Sequence, residues 1–279
     1  MNYRHAYHAG NFADVFKHIV LVALTKSFLH KESAFCYLDT HAGTGHYDLQ
    51  SPPAQKSKEF KNGIVKIAEQ NNPPDLVKSY LSSIQLANTT AIDTLRYYPG
   101  SPCFVRHLLR PQDRMIVCEL HEEDWQQLKK TFPHDKQVAI HHRDGYEALK
   151  AFLPPKERRG LVLIDPPYEN ADEFSTILSA LPAAVSRWET GVFALWYPIK
   201  ERRSTERFLH SLKQKIERPL LAVELSIYPD NTAASLNGNG LVIVNPPWQF
   251  NEEIKSIMPW LWHTLSPNKQ GRYETRELT

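Results

Sequence analysis

The chain has 279 residues and a mass of 32.2 kDa, and its 33 lysines and arginines against 31 aspartates and glutamates leave a formal net charge of only +2. This balance excludes a strongly basic coat or tail protein. With 42% apolar and 23% charged residues, the chain can bury a large core and is not intrinsically disordered.

Cysteine usage and hydropathy indicate the compartment. Cys36, Cys103 and Cys118 are scattered without a CxxC pair, which predicts buried thiols in a reducing environment. The N-terminus has no signal-peptide pattern, and no apolar stretch approaches the roughly 18 residues that cross a bilayer. We therefore expect a cytoplasmic protein without a membrane partner, and a monomer because no exposed apolar stripe is evident.

The first predicted elements are a helix and a strand. Apolar residues spaced i, i+3, i+4 over residues 12–29 predict an amphipathic helix, with Asp14 near its positive end. The apolar run 35–38 predicts a buried strand that ends at Asp39 and enters a glycine-containing turn.

Residues 51–97 differ in composition from the rest. Proline pairs at 52–53 and 73–74 precede two polar helical patterns, which predicts a small inserted helical subdomain within a main domain of residues 1–50 and 98–279. Ser101-Pro102 then predicts an N-cap serine with proline at the first helical position.

The remaining chain alternates strands with helices. Predicted strands at 115–118, 138–141, 161–164 and 192–196 are continuously apolar, which indicates a parallel sheet covered on both faces. Strands at 220–227 and 241–244 are joined by a short Gly/Asn turn without room for a crossover helix, so they should pair antiparallel. The predicted fold is α/β, Rossmann-like, with a mostly parallel sheet whose last strand is antiparallel.

Four predicted strands end at or near an acid: Asp39, Glu119, Asp144 and Asp165. Because open parallel sheets bind ligands at the carboxyl ends of their strands, these acids predict a site at one edge.

The turn Asp39–Gly45 reads DxxxGxG, in which Gly43 lets a ligand approach the backbone. A dinucleotide fingerprint needs a third glycine where Asp48 stands, so NAD fits poorly. The turn instead resembles the first motif of class I S-adenosylmethionine-dependent methyltransferases.

The tetrapeptide Asp165-Pro166-Pro167-Tyr168 carries the strongest chemical signal. An exocyclic amine of a nucleobase is a poor nucleophile, and the Asp165 carboxylate with the Pro166 carbonyl can accept its two N–H bonds. Prolines have fixed φ and would hold these acceptors, while the Tyr168 ring would stack on a flipped base. This is the signature of amino methyltransferases. A cytosine-C5 enzyme would need a cysteine nucleophile here.

A second tetrapeptide, Asn245-Pro246-Pro247-Trp248, also follows an apolar strand. If that strand is antiparallel to the others, Asn245 lies at the opposite edge and should not be catalytic. The Asp165 turn is therefore the predicted catalytic one, and Asn245 should be replaceable.

The N-terminal region is rich in histidine. His5, His8, His18, His41 and His46 match no zinc spacing, so we expect no metal and interpret them as polar lining of a pocket. Residues 2–5, which include Tyr3 and Arg4, combine aromatic and cationic groups suited to a stacked base and phosphates, although a frayed terminus is the alternative.

Residues 200–218 hold seven lysines or arginines against three glutamates, which predicts a basic face.

Taken together, these motifs resemble the bacterial 23S ribosomal RNA adenine-N6 methyltransferases of the RlmJ type over nearly the whole chain. The blocks that carry the resemblance are Tyr3-Arg4-His5, His8-Ala9-Gly10-Asn11 with Asp14 and Lys17-His18, Leu38 to Gly43, Arg96 to Pro102, Asp165 to Tyr168, Ala194 to Pro198 and Asn245 to Trp248.

The resemblance implies S-adenosylmethionine as methyl donor, S-adenosylhomocysteine as product, and 23S rRNA, free or in an early ribosomal particle, as substrate. It implies that Glu119 contacts the cofactor ribose and Asp144 its adenine, that Asp165 is the catalytic acceptor, and that Tyr3 contacts substrate. The further cofactor contacts implied by motif position are His18, His41, Ser101 and Gly145. A DNA adenine-N6 or protein amide methyltransferase, or a catalytically silent RNA-binding protein, are the alternatives.

Overall fold

The computed structural model describes residues 4–88, 95–230, 232 and 236–278. Its strands are β1 Cys36–Asp39, β2 His46–Asp48, β3 Tyr97–Pro99, β4 Arg114–Glu119, β5 Val138–His142, β6 Gly160–Ile164, β7 Val192–Ile199, β8 Leu220–Ser226, β9 Gly238–Val244 and β10 Arg272–Glu277. Its α-helices are α1 Phe12–Leu29, α2 Pro52–Ser57, α3 Ile64–Ala68, α4 Asp75–Ala87, α5 Ser101–Arg106, α6 Glu122–Thr131, α7 Gly145–Phe152, α8 Glu173–Arg187, α9 Arg202–Lys215 and α10 Phe250–Leu265.

The main sheet has eight strands in the order β10-β8-β9-β7-β6-β1-β4-β5. Strands β5, β4, β1, β6 and β7 pair parallel, and β9 runs antiparallel between β7 and β8. The predicted α/β fold and the antiparallel β8–β9 pair are confirmed. The polar C-terminus adds β10, antiparallel to β8, which the sequence did not predict. Charged side chains on such an edge strand discourage pairing with other chains.

Helix α1 has the predicted bounds but not the predicted amphipathic character. It is buried on all sides, including Asp14, Lys17 and His18, because it packs on the sheet and against α4, α5 and α10. A helix that is enclosed in this way must pair its charged side chains internally, since an unpaired buried charge is costly. That requirement brings the polar groups of α1 into the site described below.

Helices α2, α3 and α4 lie between β2 and β3, two short strands that form a separate antiparallel pair. Phe60, Ile64 and Tyr80 from this segment are buried in the same apolar core as α1. We keep 51–97 as a proposed inserted subdomain, one that packs on the main domain and shares its core. Residues 89–94 of this segment lie outside the described residues.

Helices α7, α8 and α9 contribute to a second core on the other side of the sheet, which includes Val162, Phe193 and Phe208. All three cysteines are buried with free thiols, as predicted. Within the described ranges, no helix combines the length and apolar character that a bilayer crossing requires.

Candidate active site

Three parallel strands deliver acids to one edge of the sheet. Asp39 ends β1, Glu119 ends β4, and Asp165 directly follows β6. Asp144 comes two residues after β5, at the start of α7. Because β1 pairs with both β4 and β6 in parallel register, the predicted clustering of these strand ends is confirmed.

Asp39 anchors the glycine turn from below. Its carboxylate is fully buried and accepts hydrogen bonds from the Tyr37 hydroxyl (2.8 Å), the Ser101 hydroxyl (2.6 Å) and the His41 backbone N–H (3.3 Å). Burial raises the pKa of Asp39 to about 6, against the opposing effect of the Ser101 and Tyr37 donors. The prediction of Ser101 as N-cap is wrong: Gly100 is the N-cap of α5, and the Ser101 side chain donates to Asp39 and not to a backbone N–H.

Glu119 is hydrogen-bonded to the backbone of the glycine turn. One carboxylate oxygen, Oε2, accepts the Gly43 N–H at 2.8 Å, and Oε1 accepts the His121 N–H at 2.7 Å. Gly43 has φ +60, and a Cβ there would collide with the Tyr47 hydroxyl. Burial raises the pKa of Glu119. Glu119 and Gly43 are thus joined by a hydrogen bond at the carboxyl ends of β1 and β4. Their roles as cofactor contacts stay predictions.

His41 lies over the start of α7. A Cβ on Gly145 would come within 2.7 Å of His41 Cε1, so the ring fits only because residue 145 is glycine. The Thr40 hydroxyl donates its one proton to the Leu163 carbonyl (3.0 Å) and must therefore accept from His41 Nδ1 (2.7 Å). Burial lowers the pKa of His41 to about 4, so the neutral ring offers Nε2 as an acceptor.

Asp144 is the N-cap of α7. Its Oδ1 accepts the backbone N–H groups of Tyr146 (2.9 Å) and Glu147 (3.0 Å), which leaves Oδ2 for another contact.

His18 on α1 is 1% exposed, and its Nδ1 is 2.8 Å from the Tyr98 hydroxyl. Burial lowers the pKa of His18 well below its usual range. The cofactor roles of Asp144 and His18 stay predictions.

Asp165 forms an ion pair with Lys17, a residue that the sequence analysis did not place in the site. Lys17 Nζ lies 2.6 Å from Asp165 Oδ2 and 2.9 Å from Asp14 Oδ1, and Asp14 Oδ2 also contacts His5 Nε2 at 2.8 Å. Although burial disfavours the charged amine, the two carboxylates raise the pKa of Lys17. Burial likewise opposes ionisation of Asp14, but His5 and Lys17 hold its pKa well below the usual range. This Asp14–Lys17–Asp165 chain links the buried helix to the turn predicted to be catalytic.

The acceptors predicted for an amine are both available. Within the described chain, Asp165 Oδ1 has no hydrogen-bond partner, and no N–H or O–H group donates to the Pro166 carbonyl. Tyr168 follows with φ +51, and its hydroxyl donates to the Trp196 carbonyl at 2.6 Å. Its ring is also edge-to-face with Trp196, so the ring orientation is fixed.

The N-terminal segment is only partly described. Tyr3 lies outside the described residues. Arg4 is half-exposed and its Nη1 lies 2.8 Å from Glu123 Oε2 at α6. His8 pairs with Glu59 at 2.9 Å, and the part of the chain that the structure describes contains no group of three or more potential metal ligands. The substrate roles of Tyr3 and Arg4 stay predictions.

Asn245 lies at the other edge of the sheet. Phe193 at the start of β7 pairs with Val244 at the end of β9, so β9 delivers Asn245 beside the entry to β7. Its side-chain amide donates to the carbonyls of Glu189 (2.8 Å) and Gly191 (2.7 Å). The topological prediction is confirmed, and the side chain serves a turn.

The residues that sequence reasoning missed are Lys17 and Trp196. A lysine inside an apolar helical run, three residues after Asp14, is the signal that could have indicated a buried ion pair. For Trp196 the acting group is a backbone carbonyl, which leaves no mark on the sequence.

The order β5-β4-β1-β6-β7-β9-β8, with β9 reversed, and an Asp-Pro-Pro-Tyr turn after β6 define a Rossmann-like class I methyltransferase fold. Residues 32–279 match the family model described as Ribosomal RNA large subunit methyltransferase D, RlmJ. The chain belongs to this RlmJ family of ribosomal RNA large-subunit methyltransferases.

Relatives cover the whole chain. Ribosomal RNA large subunit methyltransferase J of Haemophilus influenzae is 40% identical over 279 residues, which are 100% of this chain and 99% of that protein. The protein of the same name from Escherichia coli K12 is 39% identical over 271 residues, 97% of this chain and 96% of the relative. A crystal structure of a protein from Legionella pneumophila strain Philadelphia 1 has a TM-score of 0.88 at 38% identity and covers 98% of both chains.

Proposed function

We propose that the protein transfers a methyl group from S-adenosylmethionine to the N6 amine of a specific adenine in 23S rRNA and releases S-adenosylhomocysteine. The observation that carries this proposal is the pair of free acceptors, Asp165 Oδ1 and the Pro166 carbonyl, on a turn fixed by two prolines and by Lys17. The names of the relatives from Haemophilus influenzae and Escherichia coli support the rRNA assignment.

The residues at the sheet edge fit the proposed cofactor. Beside the Gly43 turn, which bonds to the Glu119 carboxylate, the neutral His41 ring offers Nε2 as an acceptor, and Asp144 Oδ2 accepts from no group within the described residues. When bound, S-adenosylmethionine supplies an electrophilic methyl group on a positively charged sulfur. The residues proposed to hold it are His18, His41, Gly43, Ser101, Glu119, Asp144, Gly145 and Asp165.

The chemistry of this chain is positioning of the amine. The Asp165 carboxylate and the Pro166 carbonyl accept the two N–H bonds, which turns the amine lone pair toward the methyl donor. As the attack proceeds, positive charge grows on the amine nitrogen and the fixed acceptors stabilise it. We expect Asp165 Oδ1 to take the proton that the amine releases, since Oδ2 is already bonded to Lys17.

Tyr168 is proposed to stack on the flipped adenine, with Tyr3 and Arg4 as further substrate contacts. The Trp196 carbonyl fixes the Tyr168 ring and supports its use as a platform. The proposed substrate is 23S rRNA, free or in an early ribosomal particle, and the proposed setting is a monomer in the cytoplasm.

To test this proposal, the protein is incubated with labelled S-adenosylmethionine and one of three substrates: protein-free 23S rRNA, genomic DNA or total protein. We expect label only in the rRNA. Label confined to DNA or protein would overturn the proposal in favour of a DNA adenine-N6 or a protein amide methyltransferase.

A second measurement tests the alternative that the protein binds RNA without catalysing methyl transfer. Calorimetric titration with S-adenosylhomocysteine should give saturable binding. No binding, together with retained affinity for rRNA, would identify a silent RNA-binding protein. Asn245→Ala serves as the folded, active control for variants of Asp165.

A further inference from the structure

Helix α9 presents a cationic row on the side that faces away from the sheet. Its buried positions are Thr205, Phe208, Leu209 and Leu212. Arg203 and Arg207 are exposed and lie opposite that buried stripe on a helical projection, one turn apart at about 6 Å. The row continues with His210 and Gln214, which bond to each other at 2.9 Å, and it begins beside the exposed Lys200.

These two arginines differ from most arginines of the described chain. The arginines at positions 4, 96, 106, 110, 114, 143, 202, 218, 272 and 276 are held in ion pairs. Arg203 and Arg207 form neither an ion pair nor a hydrogen bond with any side chain the structure describes. The nearest acids in sequence do not pair with them: Glu206 pairs with Arg202 and Arg276, and Glu201 is the N-cap residue, whose side chain makes no capping hydrogen bond.

The position of the row is unfavourable for the isolated protein. Cations are unfavourable at the positive end of a helix dipole, and beyond the N-cap residue Glu201 the first turn of α9 contains no acid to offset them. Arg203 and Arg207 also repel each other across one turn of the helix. An anion bound along the row would offset both terms.

The row is fixed with respect to the catalytic turn. Strand β7 carries Trp196, whose carbonyl holds Tyr168, and Lys200 follows four residues later, about 13 Å along an extended chain. On the inner side of α9, Phe208 packs on Phe174 with ring centroids 4.4 Å apart, and Phe174 packs on Tyr168 at 5.3 Å. The packed rings of Phe208, Phe174 and Tyr168 therefore connect α9 to the Asp165 turn.

We propose that Lys200, Arg203 and Arg207 bind the phosphates of the RNA strand that flanks the target adenosine. This inference rests on the proposed function, because it names the surface that positions the substrate of that site. Guanidinium groups match phosphate geometry in two-point contacts, and backbone contacts of this kind position a strand without reading its sequence. The row contains no large apolar side chain, so it lacks the anchor typical of a protein interface.

The experiment compares two variants that each lose two positive charges. Arg203→Gln/Arg207→Gln, the row variant, removes both arginines of the row. Lys136→Gln/Lys156→Gln is the control, because those lysines are exposed, precede β5 and β6 at the opposite edge, and pair with no carboxylate among the described residues. For each protein, KM and kcat for a 23S rRNA transcript are measured across a range of salt concentrations, together with affinity for S-adenosylhomocysteine.

The row variant should raise KM on the order of 10-fold and reduce the salt dependence of log KM by about 1.4, since each single-strand phosphate contact contributes about 0.7. Its kcat and its affinity for S-adenosylhomocysteine should stay within about twofold of wild type, as should every parameter of the control.

Unchanged KM and salt dependence in the row variant would overturn the inference and leave the proposed function standing. An equal rise in KM in the control would overturn it too, because the effect would then reflect net charge. Failure of the wild-type protein to methylate rRNA would refute the proposed function itself, and this inference with it.

Discussion

Two tetrapeptides of the same pattern, Asp165 to Tyr168 and Asn245 to Trp248, each follow an apolar strand. Strand β6 is parallel to its neighbours and β9 is antiparallel, so the two turns emerge at opposite edges of the sheet. The residue pattern is shared but the backbone differs, since the residue with positive φ is the fourth of the first turn, Tyr168, and the first of the second, Asn245. Strand direction determines which turn faces the glycine loop.

The surroundings of the two turns differ accordingly. Asp165 bonds to Lys17 through one oxygen and keeps the other free, whereas the Asn245 amide is used by two backbone carbonyls. Tyr168 is fixed by Trp196, while Trp248 is 85% exposed. A proline-proline-aromatic sequence therefore indicates a rigid turn, and the adjoining buried charge distinguishes the candidate catalytic one.

The largest expected effect comes from removing that buried charge. Lys17→Met leaves Asp14 buried beside Asp165 without their shared cation, which should lower the free energy of unfolding by about 3–5 kcal/mol and abolish methyl transfer. Thermal and chemical denaturation measure the stability. Adding Asp14→Asn should restore part of the stability and none of the activity; a single variant as stable as wild type would contradict the pairing.

Asp165→Asn should slow methyl transfer about 10²–10³-fold, since the amide replaces a charged acceptor at the reacting amine. Single-turnover kinetics with saturating cofactor measure the rate, and circular dichroism checks the fold. Wild-type turnover in this variant would sink the assignment of the catalytic turn.

Asn245→Ala should sharpen the contrast by affecting stability and not catalysis. It removes three side-chain hydrogen bonds, two donated to carbonyls and one accepted from Arg218, from a residue with φ +54, so the free energy of unfolding should fall by about 1–3 kcal/mol while kcat stays within about twofold. Trp248→Ala is the exposed control and should change stability by at most about 0.5 kcal/mol. A folded Asn245→Ala protein without activity would contradict the comparison.

The smallest effect concerns the pH dependence of stability through Asp39. Because its pKa is raised from about 3.8 to about 6, the folded state binds more protons than the unfolded state in that window, and stability falls as pH rises through it. Ser101→Ala removes a hydrogen-bond donor to the ionised Asp39 carboxylate and therefore raises the pKa of Asp39 further. The fall in stability should then continue to higher pH, with an additional loss of about 1 kcal/mol.

Denaturation between pH 4 and 8 measures this profile. Asp39→Asn should flatten it, and coincident profiles for Ser101→Ala and wild type would contradict the assigned hydrogen bond.

Periodicity and strand-ending acids were sufficient to predict most of the fold. They located α1, the parallel strands and the antiparallel β9. They missed β10 because an edge strand such as 272–277 can be polar, and they missed β2 and β3 because three residues give no period. The amphipathic prediction for α1 was wrong because packing from all sides depends on tertiary contacts.

The candidate site was predictable where its chemistry follows from local sequence. Asp165 and Glu119 follow from strand ends. Lys17 and the true partner of Ser101 do not, because their contacts join residues 148 and 62 positions apart. Such long-range pairs depend on how the helices pack on the sheet.

The central claim is that the Asp165 turn presents an exocyclic amine to the methyl donor. Mass spectrometry of nucleosides digested from 23S rRNA, after reaction with wild-type protein and with Asp165→Asn, tests it most directly. We predict N6-methyladenosine as the single new nucleoside with wild type and a strong reduction with the variant. A ring-nitrogen or ribose methylation, or equal N6-methyladenosine from both proteins, would contradict the account.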